Sequence, residues 1–121
     1  MRIGELAERA SVTVKAVRYY ESLGLLKVER LSNGYREYDE SQVDAVREIH
    51  GLRLLGMPVD DTRAFVECLA SGHASADSCA GSHDAFRETI ASLDEQIAEL
   101  TARRRALAER LGAAASVGGN R

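Results

Sequence analysis

The 121-residue chain has no tryptophan, one proline and only two cysteines. It also has no apolar run near the roughly 20 residues that a membrane-spanning helix requires, so no membrane partner is expected. The opening residues, MRIGELAERA, carry charges throughout and lack the apolar core of a secretory signal, which points to a cytoplasmic protein. In that compartment Cys68 and Cys79 are expected to be reduced thiols rather than a structural disulfide. Catalytic constellations are missing as well. The chain has no defensible Ser–His–Asp set, no phosphate-cradling glycine loop and no carboxylate pair in a plausible cleft, so it does not read as an enzyme. The net charge of −3 does not announce nucleic acid binding either.

What is present is a series of short amphipathic segments in a chain of one domain's length. Ile3, Leu6, Ala7 and Ala10 recur at helical spacing, and Ala10-Ser11-Val12 is short enough to be a turn. Thr13 is a good N-cap for a second helix, in which Val14, Val17 and Tyr20 can face inward while Lys15, Arg18 and Tyr19 fall on other sides. Gly24 suits the end of that helix. Residues 25–29 and 35–38 read as two short strands joined through Asn33-Gly34, a pair that accepts the positive φ of a tight hairpin. Between Lys15 and Arg36, five cationic residues (Lys15, Arg18, Lys27, Arg30, Arg36) stand against Glu21 and Glu29. This surplus serves DNA only if the positive groups share a face; otherwise it is a mixed solvated surface.

Asp39 with Gln42 three residues on forms a capping box opening a third helix, whose stripe is Val43, Val46, Ile49 and Leu52. Gly56 closes it. Pro58 opens a fourth, with Val59, Thr62, Val66 and Leu69 as its inward face. Residues 70–81 are small and polar and read as a linker. A long helix follows over residues 82–111. Phe86, Ile90, Leu93, Ile97 and Leu100 alternate four and three apart; the pattern skips Arg104 and resumes at Leu107 and Leu111. Gly112 is expected to stop this helix, leaving residues 112–121 as a disordered tail. A helix of about 30 residues spans about 45 Å, more than the rest of so small a chain can cover. A second copy is the simplest cover for its seam, and folding back on its own helices is the alternative.

The expected architecture is therefore mainly α: a winged helix-turn-helix over residues 1–69 with a two-stranded β-hairpin wing, the linker, and a coiled-coil dimerisation helix. Thr13, Lys15 and Arg18 are placed to reach base edges or phosphates of double-stranded DNA. Of Tyr19 and Tyr20, one can pack inward while the other's hydroxyl meets a phosphate. Tyr35 and Arg36 lie in the wing, where Arg36 can enter a neighbouring minor groove or simply be solvated.

The runs Ile3-Gly4-Glu5-Leu6-Ala7, Val17-Arg18-Tyr19-Tyr20-Glu21, Gly24-Leu25-Leu26, Asn33-Gly34-Tyr35-Arg36-Glu37-Tyr38 and Leu55-Gly56-Met57, in this order, resemble MerR-family transcription regulators. The resemblance covers about residues 1–111. It implies a homodimer on promoter DNA, its long helices paired antiparallel. It also implies activation of RNA polymerase by distorting an overlong promoter spacer. An architectural or excisionase-like DNA-binding protein without effector response is the alternative, and the heptad helix counts against it.

The effector end departs from the family's best-known members. Metal-sensing relatives carry cysteines after the long helix, where this chain reads Gly112-Ala113-Ala114-Ala115-Ser116-Val117. Cys68, His73, Cys79 and His83 are soft or borderline ligands within sixteen residues, but their spacing matches no standard zinc pattern. They can be an idle buried cysteine and exposed histidines, a thiol-based sensor, or a metal site. No cofactor is certain, and a metal ion is the candidate.

Overall fold

The computed structural model describes residues 1–27, 29–30, 34, 36–72 and 82–119. The chain divides into two compact units, Met1–Phe86 and Arg87–Arg121.

In the first unit, α1 (Ile3–Ala10) and α2 (Val14–Ser22) are joined by a three-residue turn. Leu6, Ala7 and Ala10 bury one face of α1, and Val17 and Tyr20 bury one face of α2. Ser11 takes the left-handed conformation at the end of α1, with φ of +58°. It lets Val12 N–H reach back to Ala7 O at 3.0 Å and Ser11 N–H reach Glu8 O at 3.1 Å, closing the last turn. Gly24, at φ +74°, ends α2 in the same way, with Leu25 N–H donating to Tyr20 O at 3.0 Å.

After α2 the chain makes a two-residue antiparallel ladder, β1 (Glu29–Arg30) against β2 (Arg36–Glu37), with Glu29 opposite Glu37 and Arg30 opposite Arg36. This is shorter than the strands expected over 25–29 and 35–38. Leu25 and Leu26 are both buried in the core, which the alternating faces of a strand would not allow. Gly34 is at φ +86°, as a tight connection needs, while Asn33 and Tyr35 lie outside the described residues. Tyr38 anchors the return: its ring is buried, its N–H donates to Met1 O at 2.9 Å, and its hydroxyl donates to Glu21 Oε2 on α2 at 3.0 Å.

Asp39 then caps α3 (Glu40–Leu54) in a complete capping box with Gln42. The Ser41 hydroxyl hydrogen bond, helped by the backbone N–H groups of Ser41 and Gln42, holds the Asp39 carboxyl below its ordinary range against a small opposing effect of burial. Val43, Val46, Ile49 and Leu52 are buried as their spacing indicates. Leu6, Val17, Tyr20 and Tyr38 join the first three of these in one core cluster. Two arginines tie the helices together through backbone: Arg47 Nη2 donates to Arg9 O at 2.9 Å, at the end of α1, and Arg9 pairs with Glu40.

Pro58 does not open an α-helix directly. A 3-10 turn, Val59–Thr62, comes first, and α4 (Arg63–Ala70) follows. The tighter turn repeats every three residues and rotates the inward face. Thr62, Phe65 and Cys68 are the buried positions, while Val66 and Leu69, expected to lead that face, are only half-buried. Phe65 meets Phe86 edge-on, with ring centroids 4.9 Å apart, in a second cluster with Leu52, Met57 and Cys68. The first turn of α5 (Ser82–Gly119) thus belongs to the first unit.

The rest of α5 forms the second unit. The helix does not stop at Gly112, and the tail expected to be disordered is helical to Gly119. A single glycine costs only about 1 kcal/mol in a helix, and Ala113, Ala114 and Ala115 are the best helix formers available.

Candidate nucleic-acid interface

The geometry of α2 follows from its two ends and its buried stripe. Thr13 is the N-cap, its Oγ1 accepting from Ala16 N–H at 3.0 Å, which leaves its hydroxyl hydrogen for another acceptor. With Val17 and Tyr20 inward, Lys15, Arg18, Tyr19 and Ser22 occupy one exposed stripe at spacings of three, one and three. The expected cationic residues of α2 therefore share a face with an aromatic ring. Tyr20 does not: its side chain is 3% exposed and packs in the core, so it leaves the set of contact candidates. Tyr19 is 44% exposed and carries the guanidinium of Arg53 over its ring at 5.8 Å.

Arg53, from the last turn of α3, adds a positive group that sequence reading did not single out. So does Arg2. With Ile3, Arg18, Glu21, Ser22, Gly34 and Tyr38 it lines a groove of about 610 Å³ between the start of α1, α2 and the hairpin. Neither arginine lies on a helical stripe of its own, so periodicity could not find them. Arg36 lies in β2, and Tyr35 is outside the described residues.

The C-terminal end of α2 is held by α4. Arg63 Nη2 donates to Leu23 O at 2.7 Å and Nη1 to Gly24 O at 3.3 Å. A guanidinium here satisfies carbonyls that a helix end leaves without partners and meets the negative end of its dipole.

The cysteine expectation is corrected. Cys68 is disulfide-bonded and 5% exposed, not a reduced thiol. Redox compartment is an average over proteins and carries no information on which residues a fold brings together. Cys79, the other cysteine, and His73 lie outside the described residues. His83 is exposed in the first turn of α5. Among the described residues no group of three or more His, Cys, Asp or Glu is placed to hold a metal ion.

Phe86 already has Phe65 as a partner within its own chain, so the uncovered stripe of α5 begins one turn later. Ile90, Leu93, Ile97, Leu100, Leu107 and Leu111 are all exposed. Among the described residues no helix is long and apolar enough to cross a membrane.

Two short helices around a left-handed turn, the second showing solvent a cationic and aromatic stripe, define a helix-turn-helix protein of the DNA-binding kind. The family description "MerR HTH family regulatory protein" matches residues 1–67, and "MerR, DNA binding" matches residues 43–110. The chain belongs to the MerR family of transcriptional regulators. The HTH-type transcriptional regulator HmrR of Rhizobium leguminosarum bv. viciae is 37% identical over 108 residues, covering 88% of this chain and 81% of its own. PbrR691 from Ralstonia metallidurans CH34, solved in complex with lead(II), aligns with a TM-score of 0.73 at 32% identity, over 90% of this chain and 83% of that one. HiNmlR, a family regulator lacking the sensor domain and solved on promoter DNA, aligns with a TM-score of 0.58 at 25% identity, over 84% and 75%. These relatives are regulators, not enzymes.

Proposed function

We propose that the chain binds promoter DNA as a homodimer and regulates transcription by distorting the spacer between the polymerase elements, in response to a chemical signal. The observation that carries this reading is the α2 stripe of Lys15, Arg18 and Tyr19, exposed while the opposite face of the same helix is core. Thr13, Lys15, Arg18 and Tyr19 meet the major groove and its phosphates. The β1–β2 hairpin acts as the wing, with Tyr35 and Arg36 on the neighbouring backbone or minor groove, and Arg2 and Arg53 add phosphate contacts. The exposed seam of α5 pairs with that of a second copy as an antiparallel coiled coil, which sets two α2 helices on two half-sites. RNA polymerase reads the distorted promoter rather than a surface of the protein.

The signal is a thiol-reactive species, a metal ion or a small molecule. PbrR691 was solved with lead(II), and a metal ion is the cofactor class this suggests. With the Cys68 sulfur tied up in a disulfide and no converging donors among the described residues, the groups present do not fit a resident metal ion. Metal chemistry would be open only to the reduced thiols. The donor set therefore supports a thiol-reactive signal.

Selection of genomic fragments by the purified protein, followed by footprinting, tests the reading. A protected two-fold site between promoter elements is expected. Arg18→Ala should weaken binding by about 1–3 kcal/mol. No selected fragment, or wild-type affinity in Arg18→Ala, would contradict it.

A further inference from the structure

α4 is eight residues long and is held at both ends by unlike chemistry. At its start the Arg63 fork grips Leu23 O and Gly24 O, the two carbonyls that close α2. Near its end Cys68 is disulfide-bonded inside a packed cluster of Leu52, Met57 and Phe65. Five residues of helix, about 7.5 Å, separate the two. Phe65 lies between them, fully buried against Phe86, so α4 cannot bend without disturbing that cluster. A change at one end is thus passed along a stiff element to the other.

We propose that Arg63 is a positioning residue for DNA recognition, and that α4 makes its grip on α2 depend on whether Cys68 is oxidised. Reduction by a dithiol breaks the bond at Cys68 Sγ. Two electrons and two protons pass to the two sulfurs, which become thiols, while the dithiol closes to its own disulfide. A covalent bond becomes a non-bonded contact that needs more room in a close-packed cluster. The end of α4 shifts to provide it, and the fork loses its register on the two carbonyls. A guanidinium fork is sensitive to such a shift because its two N–H groups must meet two acceptors at once. The inference rests on α2 being the DNA-reading helix.

The test compares oxidised protein with protein reduced by dithiothreitol, in wild type, Arg63→Lys and Arg63→Ala. Affinity for the selected fragment is read by fluorescence anisotropy at fixed salt, with circular dichroism confirming the fold. The oxidised wild type should bind about 5- to 100-fold more tightly than the reduced form, the range of ordinary coupling between sites. Cys68→Ser should match the reduced form. Arg63→Ala should make the two forms bind alike, and Arg63→Lys, with one point donor, should keep part of the difference. Equal affinity of the two wild-type forms would overturn the proposal. So would an Arg63→Ala protein that is weakened but keeps the full ratio, the result of a merely structural role. A readout without DNA separates failure here from failure of the DNA-binding reading. Amide exchange at Gly24 and Leu25 should quicken on reduction in wild type but not in Arg63→Ala, and unchanged exchange in wild type would overturn the coupling.

Discussion

Replacing Leu93 and Leu100 together by aspartate should convert the protein to monomers while leaving the first unit folded. Within one chain Leu93 is 37% and Leu100 61% exposed. Full burial of a leucine stabilises by about 1.5–3 kcal/mol relative to exposure, so covering these fractions contributes about 1.5–3 kcal/mol per chain for the two. A symmetric dimer doubles this to about 3–6 kcal/mol, or about 100- to 10,000-fold in the dissociation constant. That is a lower bound, because the variant would also bury four unpaired carboxylates. Ala102→Asp is the control, since residue 102 projects from the opposite side of the helix to Leu100 and Arg104. Sedimentation equilibrium over a concentration series reads the outcome, with thermal melting checking the fold. An intact dimer in the double variant, or dissociation by Ala102→Asp alone, would refute the seam.

Three further outcomes follow from the first unit. Tyr20→Ala should cost about 3–5 kcal/mol of stability by denaturant melts, as for other large buried side chains, whereas Tyr19→Ala should cost little stability and weaken DNA binding. Ser11→Gly should raise stability by about 0.5–1 kcal/mol, because glycine adopts φ of +58° without a Cβ penalty; an unchanged melting midpoint would count against strain at this turn. Asp39→Ala should cost about 1 kcal/mol through the lost capping box. Because the folded Asp39 has a lowered pKa, its contribution is fully present above the unfolded value of about 3.9 and is lost as pH falls through the lower folded value. The stability gap between wild type and Asp39→Ala should therefore close in acid, and a gap that widened there would contradict the cause given for the shift.

The helix-turn-helix was legible because its signals are local. Thr13, Gly24, the Asp39–Gln42 box and the stripes of α1 to α3 each act within four residues, and the structure keeps them. What sequence missed depends on distance or on small geometric shifts. The 3-10 turn at Val59–Thr62 moved the inward face of α4 from Val66 and Leu69 to Phe65 and Cys68, a rotation that an α-helical period does not contain. The oxidation state of Cys68 depends on tertiary proximity. Arg47 and Arg63 look like any solvated arginine in sequence, yet each holds the end of a helix through backbone carbonyls nearly forty residues away. Phe86 fits the heptad and was assigned to the seam, but a ring beside Phe65 is better packed inside its own chain. Gly112 was read as a stop, although a glycine followed by alanines lets a helix continue.

The central claim, control of transcription by spacer distortion from a dimeric helix-turn-helix head, is tested most directly by a spacer-length series. In vitro transcription from the footprinted promoter is measured with and without the protein as the spacer is shortened one base pair at a time. Stimulation by the protein should be greatest at the native length and vanish at a shorter length, where transcription without the protein rises to take its place. Stimulation that is indifferent to spacer length would contradict the account.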